Sequence, residues 1–203
     1  RLLEAVIDAA GDFDLIEIEG DAAFLSLEVD SLDGSVTVAA MNQAVLDMHR
    51  ACHRERRYVA SNLCPCNGCE QADNLKLKFV AHVGEVATQT IRERRKLVGI
   101  DVILVHRLLK NPVQVPEYVL FSEELYQTGG EALFAPVNEL SHDLEGIGPV
   151  RTYHVDIAAI AGSLPAMPDP RLLERLGRTV DVAGRGLPYM LGLRRRRRVA
   201  AGT

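Results

Sequence analysis

The sequence has 203 residues, of which 47% are apolar and 25% charged, with a net charge of -5. This composition is that of an ordinary globular protein with one sizeable core, and it excludes a wholly disordered chain. The net negative charge argues against a dedicated nucleic-acid-binding protein. The sequence has neither an apolar run long enough to cross a membrane nor a signal-peptide pattern, so we expect a soluble, cytoplasmic protein.

The first part of the chain alternates helical and strand patterns. Apolar residues at helical spacing predict a short helix that ends at Gly11. Leu15 to Glu19 and Ala22 to Val29 alternate apolar and polar residues on either side of Gly20-Asp21, which predicts a β-hairpin with a tight turn. Ser35 to Tyr58 has apolar residues at three- and four-residue steps, which predicts a long amphipathic helix.

The second part of the chain begins with a predicted strand over Leu75 to Val86. Ile100 to Lys110 is apolar nearly all round, which predicts a well-buried helix. Glu117 to Phe121 reads as a strand, and Ser122 is suited to cap a short helix after it. Val150 to Ile157 is the last predicted strand.

We expect one α+β domain over residues 1–160 and an appendage over residues 161–203, with a helix near Pro170 to Ala183. Arg194 to Arg198 form a run of five arginines near the end of the chain. A solvated tail is the favoured interpretation of this run, and contact with an anionic membrane surface is the alternative. Arg1 already lies within a helical pattern, so we expect further residues before it.

All four cysteines, Cys52, Cys64, Cys66 and Cys69, lie close together in the sequence. Thiolates suit the tetrahedral shell of zinc, so we predict a zinc-binding loop over residues 52–69. A closed shell of four protein ligands indicates a structural role. His53 is the alternative fourth ligand to Cys52, because consecutive helical residues point in different directions. A disulfide pair and an iron–sulfur cluster are the less favoured alternatives.

Four segments in order resemble the class III adenylyl and guanylyl cyclases. They are the hairpin Ile16–Ala22 with its Gly-Asp turn, the strand Leu77–Val86 with a histidine, a glycine and an acidic residue near its end, the helix Gly99–Leu108, and the strand with its serine-capped helix, Glu117–Leu125. Together with the cysteine loop, they are similar to an uncharacterised bacterial family of cyclase-like domains, a domain of unknown function. The resemblance implies a ferredoxin-like sheet with helices on one face, a first strand upstream of Arg1, and a homodimer.

The resemblance also implies roles for individual residues. Asp21 matches an aspartate that binds magnesium or manganese on the nucleotide phosphates. Glu17 stands at the first position that reads the purine, where adenylyl cyclases have lysine and guanylyl cyclases glutamate, so it favours guanine. Lys96 falls at the second position, where neither the usual aspartate nor the usual cysteine is present. Arg107 matches the catalytic arginine that stabilises charge on the transferred phosphate. Ile103 stands where the family has an asparagine that orients the ribose, and an isoleucine cannot make that hydrogen bond.

Each of these residues also has an ordinary structural interpretation. Asp21 could be a hydrogen-bonded turn residue, Glu17 a solvent-facing strand residue, and Arg107 a helix-surface arginine. His82 and His106 are read as satisfied core histidines. Because the resemblance covers only part of the catalytic set, it implies a degenerate nucleotidyl cyclase-like module that binds a purine nucleotide or acts in signalling. The alternatives are an active purine nucleotidyl cyclase and a zinc-stapled protein-interaction module.

Overall fold

The computed structural model describes residues 1–29, 34–62, 71–129, 134, 136–162 and 170–190. The helices are α1 (Leu2–Asp8), α2 (Gly34–Ala60), α3 (Ile100–Leu108), α4 (Glu123–Gly129), α5 (Ile157–Ile160) and α6 (Leu172–Met190). The strands are β1 (Asp14–Glu19), β2 (Ala22–Ser26), β3 (Phe79–Ala81), β4 (Ala87–Ile91), β5 (Arg94–Val98), β6 (Tyr118–Ser122), β7 (Asn138–Leu144) and β8 (Gly148–Asp156). The predictions for Cys64, Cys66, Cys69 and Arg194 to Arg198 lie outside the described residues.

The chain divides into two compact units. The first comprises Arg1–His53 and Lys76–Pro165, and the second comprises Arg54–Leu75 and Ala166–Thr203. Helix α2 contributes residues to both units.

The first unit is built on a mixed sheet of strand order β3-β6-β8-β7. β3 pairs with β6 in parallel, and the other neighbours are antiparallel. The parallel pair requires a crossover, which β4, β5 and α3 supply. The fold is therefore α+β, as the sequence predicts.

Strand β6 is buried at every position, which is typical of a central strand covered on both faces. Val119 and Phe121 pack against α2 through residues such as Val38. Leu120 faces the other way and packs against α3 through Leu108. Helices therefore lie on both faces of β6, where we expected them on one. The alternation of side chains along a strand accounts for the two opposed core layers.

Strand β3 is shorter than the predicted strand Leu75–Val86 because side chains bind the backbone on both sides of it. The Leu77 N–H donates to Glu117 Oε1 at 3.1 Å, and the Glu85 N–H donates to Asp101 Oδ2 at 2.8 Å. Neither N–H is left to pair with a neighbouring strand. Strands β4, β5 and β7 were not predicted, because β4 and most of β7 are exposed and lack an apolar alternation.

The first unit also contains two hairpins, of which β4–β5 belongs to the crossover. β1 and β2 are joined by Gly20-Asp21, and the φ of 64° at Gly20 explains the glycine in this tight turn. β4 and β5 are joined by Arg92 and Glu93, which both adopt positive φ without being glycine. The β1–β2 prediction is confirmed, although β2 ends at Ser26 and not at Val29.

The second unit contains α6, which confirms and extends the helix predicted near Pro170 to Ala183. Within this unit, Arg175 Nε donates to the Ser61 carbonyl at 3.1 Å, and Arg178 donates to the Ser61 hydroxyl. The Arg178 guanidinium also lies 4.8 Å from the ring centroid of Tyr58. Across both units, no helix in the described ranges has the length and apolar character needed to cross a membrane.

Candidate functional site

The first unit contains a buried cluster of two histidines and one glutamate. His49 and His53 lie one turn apart on α2, so both side chains project from the same face of the helix. Glu117 immediately precedes β6 and reaches the histidines from the sheet. Their ligand atoms all lie within 4.8 Å of one another, which is close enough for the three side chains to bind one metal ion together.

The contacts in this cluster converge on one carboxylate oxygen. His53 Nε2 lies 2.9 Å from Glu117 Oε2, and His49 Nε2 lies 3.4 Å from the same oxygen. The two imidazole rings are 4.2 Å apart at an angle of 52°. The other oxygen, Oε1, accepts the Leu77 N–H, which fixes the orientation of the carboxylate. The side chains of all three residues are largely shielded from solvent.

Glu117 is a carboxylate rather than a carboxylic acid at neutral pH. Burial raises its pKa, but this effect is outweighed by the hydrogen bonds from His49 and the Leu77 N–H and by the charge and hydrogen bond of His53. Together these lower the pKa from 4.5 to about 2. The cluster therefore presents one negative charge to two imidazoles.

The cluster was only partly foreseen from the sequence. The sequence indicates His53 as an alternative zinc ligand, but it indicates no metal-binding role for His49 or Glu117. The spacing of His49 and His53 was the available signal, whereas Glu117 lies far along the chain and joins the cluster only through the packing of β6 beside α2. Cys52, the predicted zinc ligand, is buried beside Val6 and Ala10 of the first unit. The four-cysteine site stays a prediction, since its other three residues are outside the described ranges.

The two predicted purine-reading residues meet. Glu17 on β1 and Lys96 on β5 form an ion pair between their side chains, each about one-third exposed. These residues come from different hairpins, and the neighbouring pair Arg95–Glu28 joins the same two hairpins. The ion pair offers carboxylate acceptors next to ammonium donors at a partly exposed position.

Asp21 and Arg107 lie at different turns of the first unit. Asp21 is exposed in the β1–β2 turn. The Arg107 guanidinium lies against the β7–β8 turn, where a Cβ added to Gly146 would be 3.2 Å from Nη1. The preceding residue, His106, faces the β1–β2 hairpin, with Nδ1 3.4 Å from Glu19 Oε2. Within the described part of one chain, Arg107 makes no ion pair with Asp21.

Helix α3 is less buried than its apolar sequence predicts. Ile100 is 65% exposed and Ile103 is 47% exposed, whereas Leu108 is fully buried. Ile103, which the resemblance to cyclases aligns with a ribose-binding asparagine, therefore presents an apolar side chain to solvent. An apolar residue here cannot replace the hydrogen bond of an asparagine.

His82 joins β3 to the starts of α3 and α4. Its Nδ1 lies 2.8 Å from Ser122 Oγ, and its Nε2 lies 3.2 Å from Asp101 Oδ1 without the geometry of a hydrogen bond. The Ser122 hydroxyl also accepts the Leu125 N–H at 3.3 Å, so Ser122 caps α4 as predicted. A Cβ on Gly84 would approach Asp101 Oδ2 to 2.4 Å and His82 Nε2 to 2.6 Å. Ser122 is only 2% exposed, and these contacts tie β3 to the starts of α3 and α4.

A cavity of about 250 Å³ lies on the α3 side of the sheet. Its walls combine apolar residues of α3 with polar residues of α4, β7 and β8, including Leu104, Glu124, Ser141 and Arg151. This volume is below the roughly 300 Å³ at which pockets for drug-sized ligands begin. The cavity does not include Glu17, Lys96 or the histidine cluster.

Comparison with known proteins assigns the chain to a family but does not give it an activity. A family model described as protein of unknown function (DUF2652) matches residues 1–118. A protein of Mycobacterium tuberculosis (strain ATCC 25618 / H37Rv), "Uncharacterized protein Rv2561/Rv2562", is 39% identical over 195 residues. That similarity covers 96% of this chain and 90% of the relative.

Proposed function

The chain belongs to the DUF2652 family, and from this premise we propose that it is a cytoplasmic, cyclase-like module that binds a purine nucleotide without efficient turnover. In this proposal the α+β fold is a divergent, ferredoxin-like relative of the class III cyclase domain. The module acts in signalling by holding the nucleotide.

The contact between Glu17 and Lys96 is the observation that supports this proposal best. The resemblance to cyclases names these two residues, on separate hairpins, as readers of one base. Such residues must lie side by side, and these two are in contact. They are the acid and lysine of the adenylyl cyclase pair with their positions exchanged. An exposed ion pair is worth only about 0–1 kcal/mol, so a ligand that offers matching donors and acceptors can compete with it.

The exposure of Asp21 suits a metal-bound polyphosphate, since magnesium and manganese prefer oxygen ligands and keep several waters. Arg107 lies against Gly146 in the same chain. In the cyclases that the sequence resembles, each site is built from two subunits. We therefore include a homodimer in the proposal, in which Asp21 of one protomer and Arg107 of its partner share a nucleotide.

The apolar side chain of Ile103 argues for binding without efficient catalysis. A missing donor at a reacting centre typically costs about a hundredfold or more in rate. The module would therefore convert its nucleotide much more slowly than a cyclase does.

A zinc ion held by Cys52, Cys64, Cys66 and Cys69 is a further part of the proposal, as a structural element near the end of α2. Metal analysis of the full chain tests it. Replacing Cys64, Cys66 and Cys69 together by serine should remove one zinc per chain. Unchanged zinc content would show that the cysteines are not the ligands.

Calorimetric titration of the full chain with GTP or ATP in the presence of Mn²⁺ tests nucleotide binding. Glu17→Ala and Lys96→Ala should each weaken binding by about 10–100-fold, because hydrogen bonds to charged groups contribute about 1.5–3 kcal/mol. Arg95→Ala is the matched control, because it removes the neighbouring ion pair and leaves the two readers in place.

The double variant Glu17→Lys/Lys96→Glu separates recognition from structure. It keeps an ion pair at this position but puts the lysine on β1 and the carboxylate on β5. This exchange should alter the preference between GTP and ATP. An unchanged preference would make the pair purely structural. Failure of either nucleotide to bind the wild-type chain would leave the interaction module as the better account, whereas a cyclic product would establish the active cyclase.

A further inference from the structure

Within the cluster of His49, His53 and Glu117, the imidazole of His49 is poorly satisfied by hydrogen bonds. His49 is 3% exposed, and its Nε2 lies 3.4 Å from Glu117, beyond the usual 2.7–3.2 Å of an N–H···O bond. Its other ring nitrogen, Nδ1, is buried with no hydrogen-bond partner. Leaving a buried polar group without a good partner typically costs about 1–3 kcal/mol. An imidazole in this position requires an explanation beyond core packing.

A divalent cation between the three side chains would replace the long contact between His49 Nε2 and Glu117 Oε2 with bonds from both residues to the metal. Zinc binds histidine nitrogen at about 2.0–2.1 Å and carboxylate oxygen at about 2.0–2.2 Å, so ligands of a tetrahedral ion lie about 3.3 Å apart. The observed separations from Glu117 Oε2 are 2.9 Å to His53 and 3.4 Å to His49. The ligand nitrogens of the two histidines lie within 4.8 Å of each other. Movements of at most about 1.5 Å would therefore bring all three ligand atoms to the spacing of a coordination shell.

The type and support of the side chains favour a transition metal. Two imidazoles and one carboxylate form a ligand set found in zinc hydrolases, whereas magnesium and calcium prefer shells of oxygen. Glu117 Oε1 is held by the Leu77 N–H, as the carboxylate ligands of metal sites commonly are. The histidines project from adjacent turns of the 27-residue helix α2, which limits their motion.

We propose that His49, His53 and Glu117 form a binding site for a zinc-class divalent transition-metal ion. Three protein ligands leave at least one coordination position open to water or an external ligand, unlike the closed shell of the four-cysteine site. The assignment of His53 to this centre also leaves Cys52 as the fourth ligand of the predicted cysteine site. The proposal does not depend on nucleotide binding.

Titration of the metal-free full chain with Co²⁺ tests the site, because cobalt replaces zinc and reports its ligands by absorption. Ligation by nitrogen and oxygen gives ligand-field bands in the visible region without a thiolate charge-transfer band. We expect one equivalent of Co²⁺ with this signature in addition to any thiolate-bound cobalt. Glu117→Gln should weaken its binding at least about tenfold, since loss of even an outer-sphere partner costs about 10–100-fold.

The matched control is Glu19→Gln, which alters a carboxylate 3.4 Å from His106 Nδ1 outside the cluster. This variant should bind the same cobalt with unchanged affinity. His53→Gln provides a second test at a less buried position if Glu117→Gln does not fold. The thiolate band should be the same in all the folded variants.

The proposal is wrong if cobalt binds the wild-type chain only through thiolates. It is equally wrong if a folded Glu117→Gln or His53→Gln variant keeps the nitrogen and oxygen signature with unchanged affinity. A rise in the melting temperature on addition of Zn²⁺, smaller in the two ligand variants than in Glu19→Gln, would support it independently.

Discussion

At the scale of single residues, His142 shows how a β-strand can hold an imidazole uncharged. It lies on β7 opposite Val150, and both of its ring nitrogens are buried without a hydrogen-bond partner. Burial disfavours the charged form and lowers its pKa below 6.5. The residue is therefore neutral at physiological pH.

We predict that the free energy of unfolding falls as the pH drops below 6.5, because His142 is neutral in the folded chain. The unfolded state binds a proton first as the pH falls, because the pKa is lower in the folded chain. The contribution of neutral His142 is complete above pH 6.5 and is lost progressively below it. An NMR titration should give a midpoint below 6.5 in the folded chain and a higher one in urea. A folded midpoint at or above that of the unfolded chain would contradict the prediction.

The sequence could indicate a site residue only where a motif around that residue suggested its function. The resemblance assigns Glu17 and Lys96 to one base, which stays a prediction, and the structure shows that the two side chains form an ion pair. Glu117 carried no such signal, because it becomes a partner of His49 and His53 only when β6 packs beside α2. Sequence patterns report spacing within an element, whereas this cluster depends on packing between elements.

At the scale of elements, the periodic patterns located most helices and strands. Helices α2 and α6, strand β6 and the Ser122 cap follow directly from spacing and capping chemistry. The pattern misjudged α3, whose apolar residues are partly exposed, because apolar composition does not show whether a neighbour covers the helix. It also overextended β3, because no pattern shows that Glu117 and Asp101 bind the flanking backbone.

Gly84 lets His82 and the start of α3 approach closely, which accounts for the glycine in the His-x-Gly-Glu segment. We predict that Gly84→Ala lowers the free energy of unfolding by about 1–3 kcal/mol, as overpacking does. Gly177→Ala is the control, because a Cβ there meets nothing within 4 Å and alanine favours a helix. Urea unfolding of both variants provides the measurement. Equal stability of Gly84→Ala and the wild type would mean that Asp101 and His82 can move apart without cost.

At the scale of the whole molecule, some of the exposed apolar residues lie on the elements that carry the nucleotide proposal. Ile18 on β1, Ile91 on β4 and Ile103 on α3 are each about half exposed. The Glu17–Lys96 ion pair links the β1–β2 hairpin to β5, and Glu19 Oε2 lies 3.4 Å from Nδ1 of His106 on α3. A surface of this kind suits a second copy of the chain better than it suits water.

We predict that the protein forms a homodimer through this surface and that Ile103→Glu weakens it by about 10–100-fold, the equivalent of about 1.5–3 kcal/mol for one buried isoleucine. Sedimentation equilibrium measures the change. Val180→Glu, at a position 72% exposed on α6 of the second unit, is the control and should leave the dimer intact. A monomer at all concentrations, or an Ile103→Glu variant that dimerises normally, would contradict the prediction.

The β4–β5 turn has a practical consequence for following this molecule in solution. Arg92 and Glu93 occupy a turn in which asparagine and glycine are usual, and every residue of β4 is exposed. Chain insertions are best tolerated at such solvent-facing tips. A fluorophore could be attached here through a genetically encoded azide, on the hairpin that bears Lys96. A change in its emission on addition of nucleotide would then follow binding in real time.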